Sequence, residues 1–222
     1  MLVLALDTTT RAGSAALVRD GHVLREERSA PDRPHATRLP ADLMVLLARA
    51  DVRLEDIDLF AVGAGPGSFT GLRIGIAAMQ GLAFARRKPL VGVSTLDALA
   101  ATAQGAVVMA WIDAWRGEVY AGAYLNGAAT RPPVVGHPHE LLAGITVPAT
   151  FIGDATLTHR DLITATLGEG AVFHDPPMPP LASAIARLAV AQAEAGLPSD
   201  PAEIAPVYVR RPGGPPSAEG SP

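Results

Sequence analysis

The sequence predicts an α/β protein built from two units of similar topology, and three observations carry that prediction. An apolar run, an aspartate, a glycine-bearing turn and a returning apolar run occur twice: at 2–6, Asp7, Gly13 and 14–18, then at 107–112, Asp113, Gly117 and 118–125. A second apolar run at 57–62 passes through a glycine-rich loop into a helical stretch ending near Arg87, a strand–loop–helix unit. With 49% hydrophobic and 18% charged residues in 222, the chain has the material for a packed core. The seam between the units falls near residue 104. It divides a domain at 1–103 from one at 104–210, and 211–222 is a Pro/Gly-rich tail with nothing to bury, expected to be disordered.

The first unit opens with an uninterrupted apolar strand at 2–6, followed by the hydroxyl-rich turn Asp7-Thr-Thr-Thr-Arg-Ala-Gly13. Strands at 14–18 and 23–27 are joined by Asp20-Gly21, a dipeptide suited to the positive φ angles of a tight hairpin. Pro31 and Pro34 end the antiparallel part. A helix follows to about Ala50, with Leu39, Leu43, Leu46 and Leu47 on one face. Pro40 lacks a backbone donor, which sets its regular part to begin near Thr37. Ala41, Met44 and Ala48 widen the apolar stripe beyond what one sheet needs.

The stretch Gly63-Ala-Gly-Pro-Gly-Ser-Phe-Thr-Gly71 forbids helix at first, then offers Ser68 or Thr70 as a cap. The helix that follows is unusual. It carries Gly71, Gly75 and Gly81, and an interior glycine costs roughly 1 kcal/mol relative to alanine. Such residues persist where something approaches the helix backbone closely. Between Gly71 and Ala85 the only polar side chains are Arg73 and Gln80, on one stripe with Ile76, Ala77 and Phe84. A helix with no hydrophilic side is buried on more than one side. Its own sheet supplies one cover, and a partner, a second domain or a neighbouring helix is expected to supply the other.

A strand at 90–93 leads through the cap Ser94-Thr95 to a helix at 96–103. The second unit then runs as strands at 107–112 and 118–125 around the turn Ala114-Trp-Arg-Gly117, a short strand at 134–135, a short helix at 138–143 and a strand at 149–152. Helices are expected at 156–167 and 181–195, and a last strand at 206–209.

Several chemistries are excluded or weakened. The chain has no cysteine, so disulfides and thiolate catalysis are out. A formal charge of −4 without a basic run leaves no footprint for direct nucleic-acid binding. No apolar run approaches a membrane span and no signal segment opens the chain, so a cytoplasmic protein is expected. The glycine loop is followed by no Gly-Lys-Ser/Thr and misses the dinucleotide spacing, so a tight turn is preferred over a phosphate cradle. None of the six histidines is paired four apart, and no metal or catalytic constellation emerges. Asp7 and Asp113 have two readings: they could face a nucleotide across a cleft in an ATPase or phosphotransferase, or simply cap turns. The bulk of Trp115 and Arg116 in the second turn weighs against phosphate there.

Five segments fall in a telling order: Leu4-Ala-Leu-Asp-Thr-Thr-Thr10, Ala64-Gly-Pro-Gly-Ser-Phe-Thr-Gly-Leu-Arg-Ile-Gly75, Gly92-Val-Ser-Thr-Leu96, Ile112-Asp-Ala-Trp-Arg-Gly-Glu-Val-Tyr120 and Pro206-Val-Tyr-Val-Arg210. Together they resemble the bacterial TsaB (YeaZ) family of tRNA threonylcarbamoyladenosine (t6A) biosynthesis proteins, over about residues 1–210. The resemblance implies a two-domain actin-like/Hsp70-like ATPase (ASKHA) fold. It also implies a non-catalytic subunit that activates a homologous transferase, TsaD, which works with an ATPase, TsaE, to modify position 37 of tRNAs reading codons that start with A. Such a subunit pairs with itself when alone and meets tRNA only through the complex. The helical histidine pair of the catalytic relative is missing, since His35 is followed four residues on by Leu39. The implied docking surface is the helix pair at 36–50 and 70–86, with Ala41, Met44, Ala48, Gly71, Arg73, Gly75, Ile76, Ala77, Gln80 and Phe84. No cofactor is implied for the chain itself, and ATP or ADP at the subunit contact stays open. Trp115 is larger than the family pattern suggests at that turn.

Overall fold

Six consecutive buried residues make β1 (Leu2–Asp7) the central strand of the first sheet. The structure, a computed structural model, describes residues 1–10, 13–29 and 35–209, with backbone alone at 35–38. The tail 211–222 and the prolines Pro31 and Pro34 therefore lie outside the described residues. The hairpin partner of β1 is β2 (Ser14–Arg19), and β3 (His22–Arg28) follows it around Asp20 and Gly21, whose φ angles of 49° and 80° match the positive-φ hairpin turn expected of that dipeptide. Next come α1 (His35–Arg49), β4 (Leu59–Gly65), α2 (Phe69–Arg86), β5 (Leu90–Ser94) and α3 (Thr95–Thr102). Strands β4 and β5 add in parallel on the other side of β1, giving the order β3-β2-β1-β4-β5.

The second half repeats this plan. It runs β6 (Val107–Asp113), β7 (Val119–Leu125), β8 (Ala128–Ala129), β9 (Val134–Gly136), α4 (Pro138–Leu141), β10 (Ala149–Ile152), α5 (Ala155–Thr158), α6 (Arg160–Leu167), β11 (Ala171–Phe173) and α7 (Ala182–Glu194). Its sheet order is β11-β10-β6-β7-β8, with β6 and β7 antiparallel and β10 and β11 added in parallel. Strand β6 thus stands where β1 stands in the first sheet. The repeated strand–aspartate–turn–strand pattern encodes a repeated sheet.

The layers follow from alternation along the strands. Val3 and Ala5 of β1 point into the core between the sheets, while Leu2, Leu4 and Leu6 point outward under α1 and α2. The inter-sheet core is filled by α3 and α7, through Leu96, Leu99, Ile185 and Ala189. A third core, around Trp111, Phe151 and Ile163, lies on the outer face of the second sheet. Tyr124 of β7 reaches across to α3, its hydroxyl donating to Asp97 Oδ1 at 2.6 Å, and so ties the second sheet to the central layer.

The structure departs from expectation at five places. Helix α7, assigned by position to the second unit, packs on β1, β2, β4 and β5 of the first sheet, where its alanine-rich face allows close approach. The single helix expected at 156–167 is broken at His159, whose φ and ψ of −107° and 14° leave the helical range. Strands β8 and β11, two and three residues long, are too short for any periodicity to announce. Residues 206–209 form no strand: the Val207 N–H donates to the Ala64 carbonyl at 2.7 Å, and Pro206 has no N–H to extend a ladder. Helix α1 also runs through Pro40 from His35 rather than starting near Thr37.

Candidate functional site

Two regions carry the sequence-predicted residues, the outer face of α1 and α2 and the cleft between the sheets. Ser68 caps α2, its Oγ accepting from the Gly71 N–H at 3.3 Å. The glycines behind the cap face inward. A Cβ on Gly71 would overlap the Thr8 carbonyl oxygen, and one on Gly75 would overlap Thr8 Oγ1. Thr8 Oγ1 in turn donates to the Gly71 carbonyl at 2.8 Å, and the Ser68 N–H donates to the Thr9 carbonyl at 2.8 Å. The close approach that the glycines permit is therefore made by the chain's own Thr8–Thr9 turn. Gly71 and Gly75 seat α2 and present nothing outward, contrary to their expected place on the docking surface.

Two more residues move off that surface. Ile76 is only 4% exposed and belongs to the outer core of the first sheet. At about 100° per residue it lies about 60° around the helix from Arg73, enough to turn it inward. Gln80 is committed within the chain, its Nε2 donating to the carbonyls of Pro201 at 2.7 Å and Ile204 at 3.1 Å. It pins a segment that runs across the first sheet's end, where the Leu90 N–H also donates to the Ser199 carbonyl at 3.0 Å. Ala41, Met44 and Ala48 on α1 and Arg73, Ala77 and Phe84 on α2 are exposed, Met44 at 60% and Phe84 at 55%. The side chain of His35 lies outside the described residues.

Between the two helices is an apolar groove of about 370 Å³, floored by Leu4 and walled by Leu43, Met44, Ala77, Gly81 and Leu82. Gly81 differs from its two neighbours: a Cβ there would meet nothing within 4 Å. It leaves the groove open rather than seating the helix. Sequence pattern had flagged Gly81 as costly but could not say which glycine opened outward.

The cleft between the sheets, about 270 Å³, is lined by Asp7, Thr10, Ser14, Arg28 and Asp154 among others. The buried Asp7 closes its own turn, Oδ1 accepting the Thr9 N–H at 2.8 Å and the Thr9 hydroxyl at 2.6 Å. Asp113 is exposed and does the same with the Trp115 N–H at 2.9 Å. Both aspartates therefore serve as turn caps. The carboxylate facing Asp7 across the cleft is Asp154, which accepts the Asp113 N–H at 3.0 Å. Burial pushes the Asp154 carboxyl above its ordinary range, and the neighbouring Asp113 adds to this. The α7 N-terminus, an anion site by its dipole, is closed from within: Ser14 Oγ accepts the N–H groups of Leu181 and Ala182 at 3.1 and 3.0 Å, and Glu26 Oε1 accepts that of Ser183 at 2.8 Å. A phosphate would meet carboxylates where a phosphate site needs free donors.

Two like-built sheets closed on a shared pair of helices define an actin-like, Hsp70-like ATPase-type fold. Component A of the (R)-2-hydroxyglutaryl-CoA dehydratase of Acidaminococcus fermentans shares that fold, with a TM-score of 0.56 at 13% identity over 87% of this chain and 99% of that one. The family model of TsaD, tRNA N6-adenosine threonylcarbamoyltransferase, matches residues 24–194. The tRNA threonylcarbamoyladenosine biosynthesis protein TsaB of Escherichia coli is 45% identical over 159 residues, covering 65% of this chain and 68% of that protein. YeaZ from Pseudomonas aeruginosa superposes with a TM-score of 0.78 at 32% identity, over 94% of this chain and 99% of that one. The chain belongs to the TsaB (YeaZ) family and has its role in t6A biosynthesis.

Proposed function

We propose that this chain is an interaction subunit that binds and activates a threonylcarbamoyltransferase related to itself, and that the transfer chemistry is carried by that partner. The observation that carries the reading is the open apolar groove between α1 and α2, lined in part by the exposed Met44. Soluble proteins seldom leave contiguous apolar surface uncovered without a partner for it. The family model that matches this chain is that of the transferase, so a partner of the same fold has an equivalent helix pair, and two such pairs can pack as four helices. In the absence of the transferase the same face pairs two copies of this chain. A TsaE-like ATPase joins the assembly, and tRNA is reached through the complex.

The test is co-elution of the chain with the transferase on size exclusion, comparing wild type with Met44→Glu/Ala77→Glu. Both positions are exposed, so the variant keeps its fold. A carboxylate forced into an apolar contact without a partner costs several kcal/mol, and co-elution is expected to be lost. Retained co-elution would overturn the reading. Ile76→Glu and Gly75→Leu do not serve, because both injure the chain's own core.

A further inference from the structure

The exposed stripe of α2 does not stop at the groove. Phe69, Arg73, Ala77 and Gly81 follow one another at four-residue spacing, and all four are exposed, so the face continues toward the helix N-terminus. There it meets the pinned C-terminal segment. Phe69 is 54% exposed and Tyr208 59% exposed, with ring centroids 6.2 Å apart and planes tilted by 33°. The Arg73 guanidinium lies 4.0 Å from the Phe69 ring centroid. Among the described residues no carboxylate pairs with Arg73. Beside the rings is a notch of about 80 Å³ that Leu72 and Tyr120 help to line.

We infer that Phe69, Arg73 and Tyr208 form a second anchor for the same transferase, so that the docking face is a composite of α2 and the strap at 199–209. The inference rests on the interaction reading above and extends it. Continuity with the groove along α2 is the first argument. The second is composition, since exposed aromatic rings beside an arginine are what the energetic centres of interfaces are made of. The third is order: the strap is fixed by Gln80 at Pro201 and Ile204 and by Ala64 at Val207, one residue before Tyr208. A side chain already held in place loses little freedom on binding. The chemistry calls for a partner segment that puts one aliphatic side chain into the notch and a carboxylate onto Arg73. Gln80 is then a positioning residue, acting on the partner through the strap.

Calorimetric titration of the transferase with wild type, Phe69→Ala/Tyr208→Ala, Arg73→Glu, Gln80→Leu and the groove variant Met44→Glu/Ala77→Glu decides the matter. The ring variant is expected to bind about 30-fold more weakly or worse, with its melting temperature unchanged because both rings are exposed. Arg73→Glu is expected to weaken binding more at low salt than at high. Gln80→Leu is expected to weaken it without touching the partner directly. Full affinity in the ring variant, alongside lost affinity in the groove variant, overturns the second anchor and leaves the interaction reading intact. Full affinity in both overturns the two together. Unchanged protein affinity with reduced retention of unmodified tRNA by the assembled complex would make the rings an RNA platform, and overturns the inference too.

Discussion

Thr8 Oγ1 donates to the Gly71 carbonyl at 2.8 Å, and Thr8's own carbonyl oxygen occupies the space a side chain on Gly71 would need. This joins the turn after β1 to the first turn of α2 with no room between them. The helix that presents the proposed docking face takes its position from the β1 turn.

The two glycines at this contact are expected to fail differently. Gly71→Ala collides with backbone, which cannot rotate away, and is expected to cost about 3 kcal/mol. Gly75→Ala collides with a side-chain hydroxyl, and about 2 kcal/mol is expected. Adding Thr8→Ala removes that hydroxyl and should restore part of the stability of Gly75→Ala, but none for Gly71→Ala. Urea unfolding of the four single and double variants checks this, and equal rescue of both glycine variants would contradict the geometry.

How much of this was legible in the sequence depended on whether local pattern or tertiary contact decided each residue. The hairpin at Asp20-Gly21 and the matched turns after β1 and β6 are local, and the antiparallel pairs β1–β2, β2–β3 and β6–β7 were readable from them. The inward turn of Ile76 was not, because it sits at the edge of the stripe and only the sheet beneath decides its side. Gln80 looked like an outward polar residue until the strap supplied carbonyls to hold it. The destination of α7 was equally hidden, since an alanine-rich helix fits either sheet and only closure of the chain selects one. Phe69 and Tyr208 were written in plain view inside recognised motifs, but motif membership gave no hint that their rings meet.

The link between Tyr124 and Asp97 is expected to matter for the joint between the second sheet and the central layer. Burial, reinforced by the hydrogen bond to Asp97, pushes the Tyr124 hydroxyl above its ordinary range. A raised value means the neutral phenol is favoured in the fold, so its contribution is complete at all pH values below the usual tyrosine range and fades only above it. Tyr124→Phe is expected to lose about 1.5–3 kcal/mol, the worth of a hydrogen bond from a buried hydroxyl to a carboxylate. That loss should be the same at pH 6 and pH 8, measured by denaturant unfolding at each.

Asp154 sets a pH dependence of the opposite usefulness. Its carboxyl is raised by burial, so the protonated form is favoured in the fold. The stability this brings is fully present below the ordinary carboxylate range and is lost as pH rises through the raised value, so the group weighs against the fold at neutral pH. Asp154→Asn keeps an oxygen to accept the Asp113 N–H and removes the ionisation. The variant is expected to melt above wild type at pH 7, with the gap closing as pH is lowered toward 4. A gap that widened on acidification would contradict the sign.

Gly81 offers the sharpest separation of stability from function. It lies inside α2, where nothing within 4 Å would obstruct a Cβ. Gly81→Ala should therefore stabilise the isolated chain, by roughly 0.5–1 kcal/mol from helix propensity and reduced freedom in the unfolded state. The same Cβ projects into the groove that Gly81 helps to line. If a partner helix packs there, the added methyl prevents its closest approach, and affinity for the transferase should fall about tenfold while the melting temperature rises. Opposite signs in the two measurements are what a residue kept for docking requires. A glycine retained for the chain's own packing would instead lose stability on substitution, as Gly71 and Gly75 are expected to do.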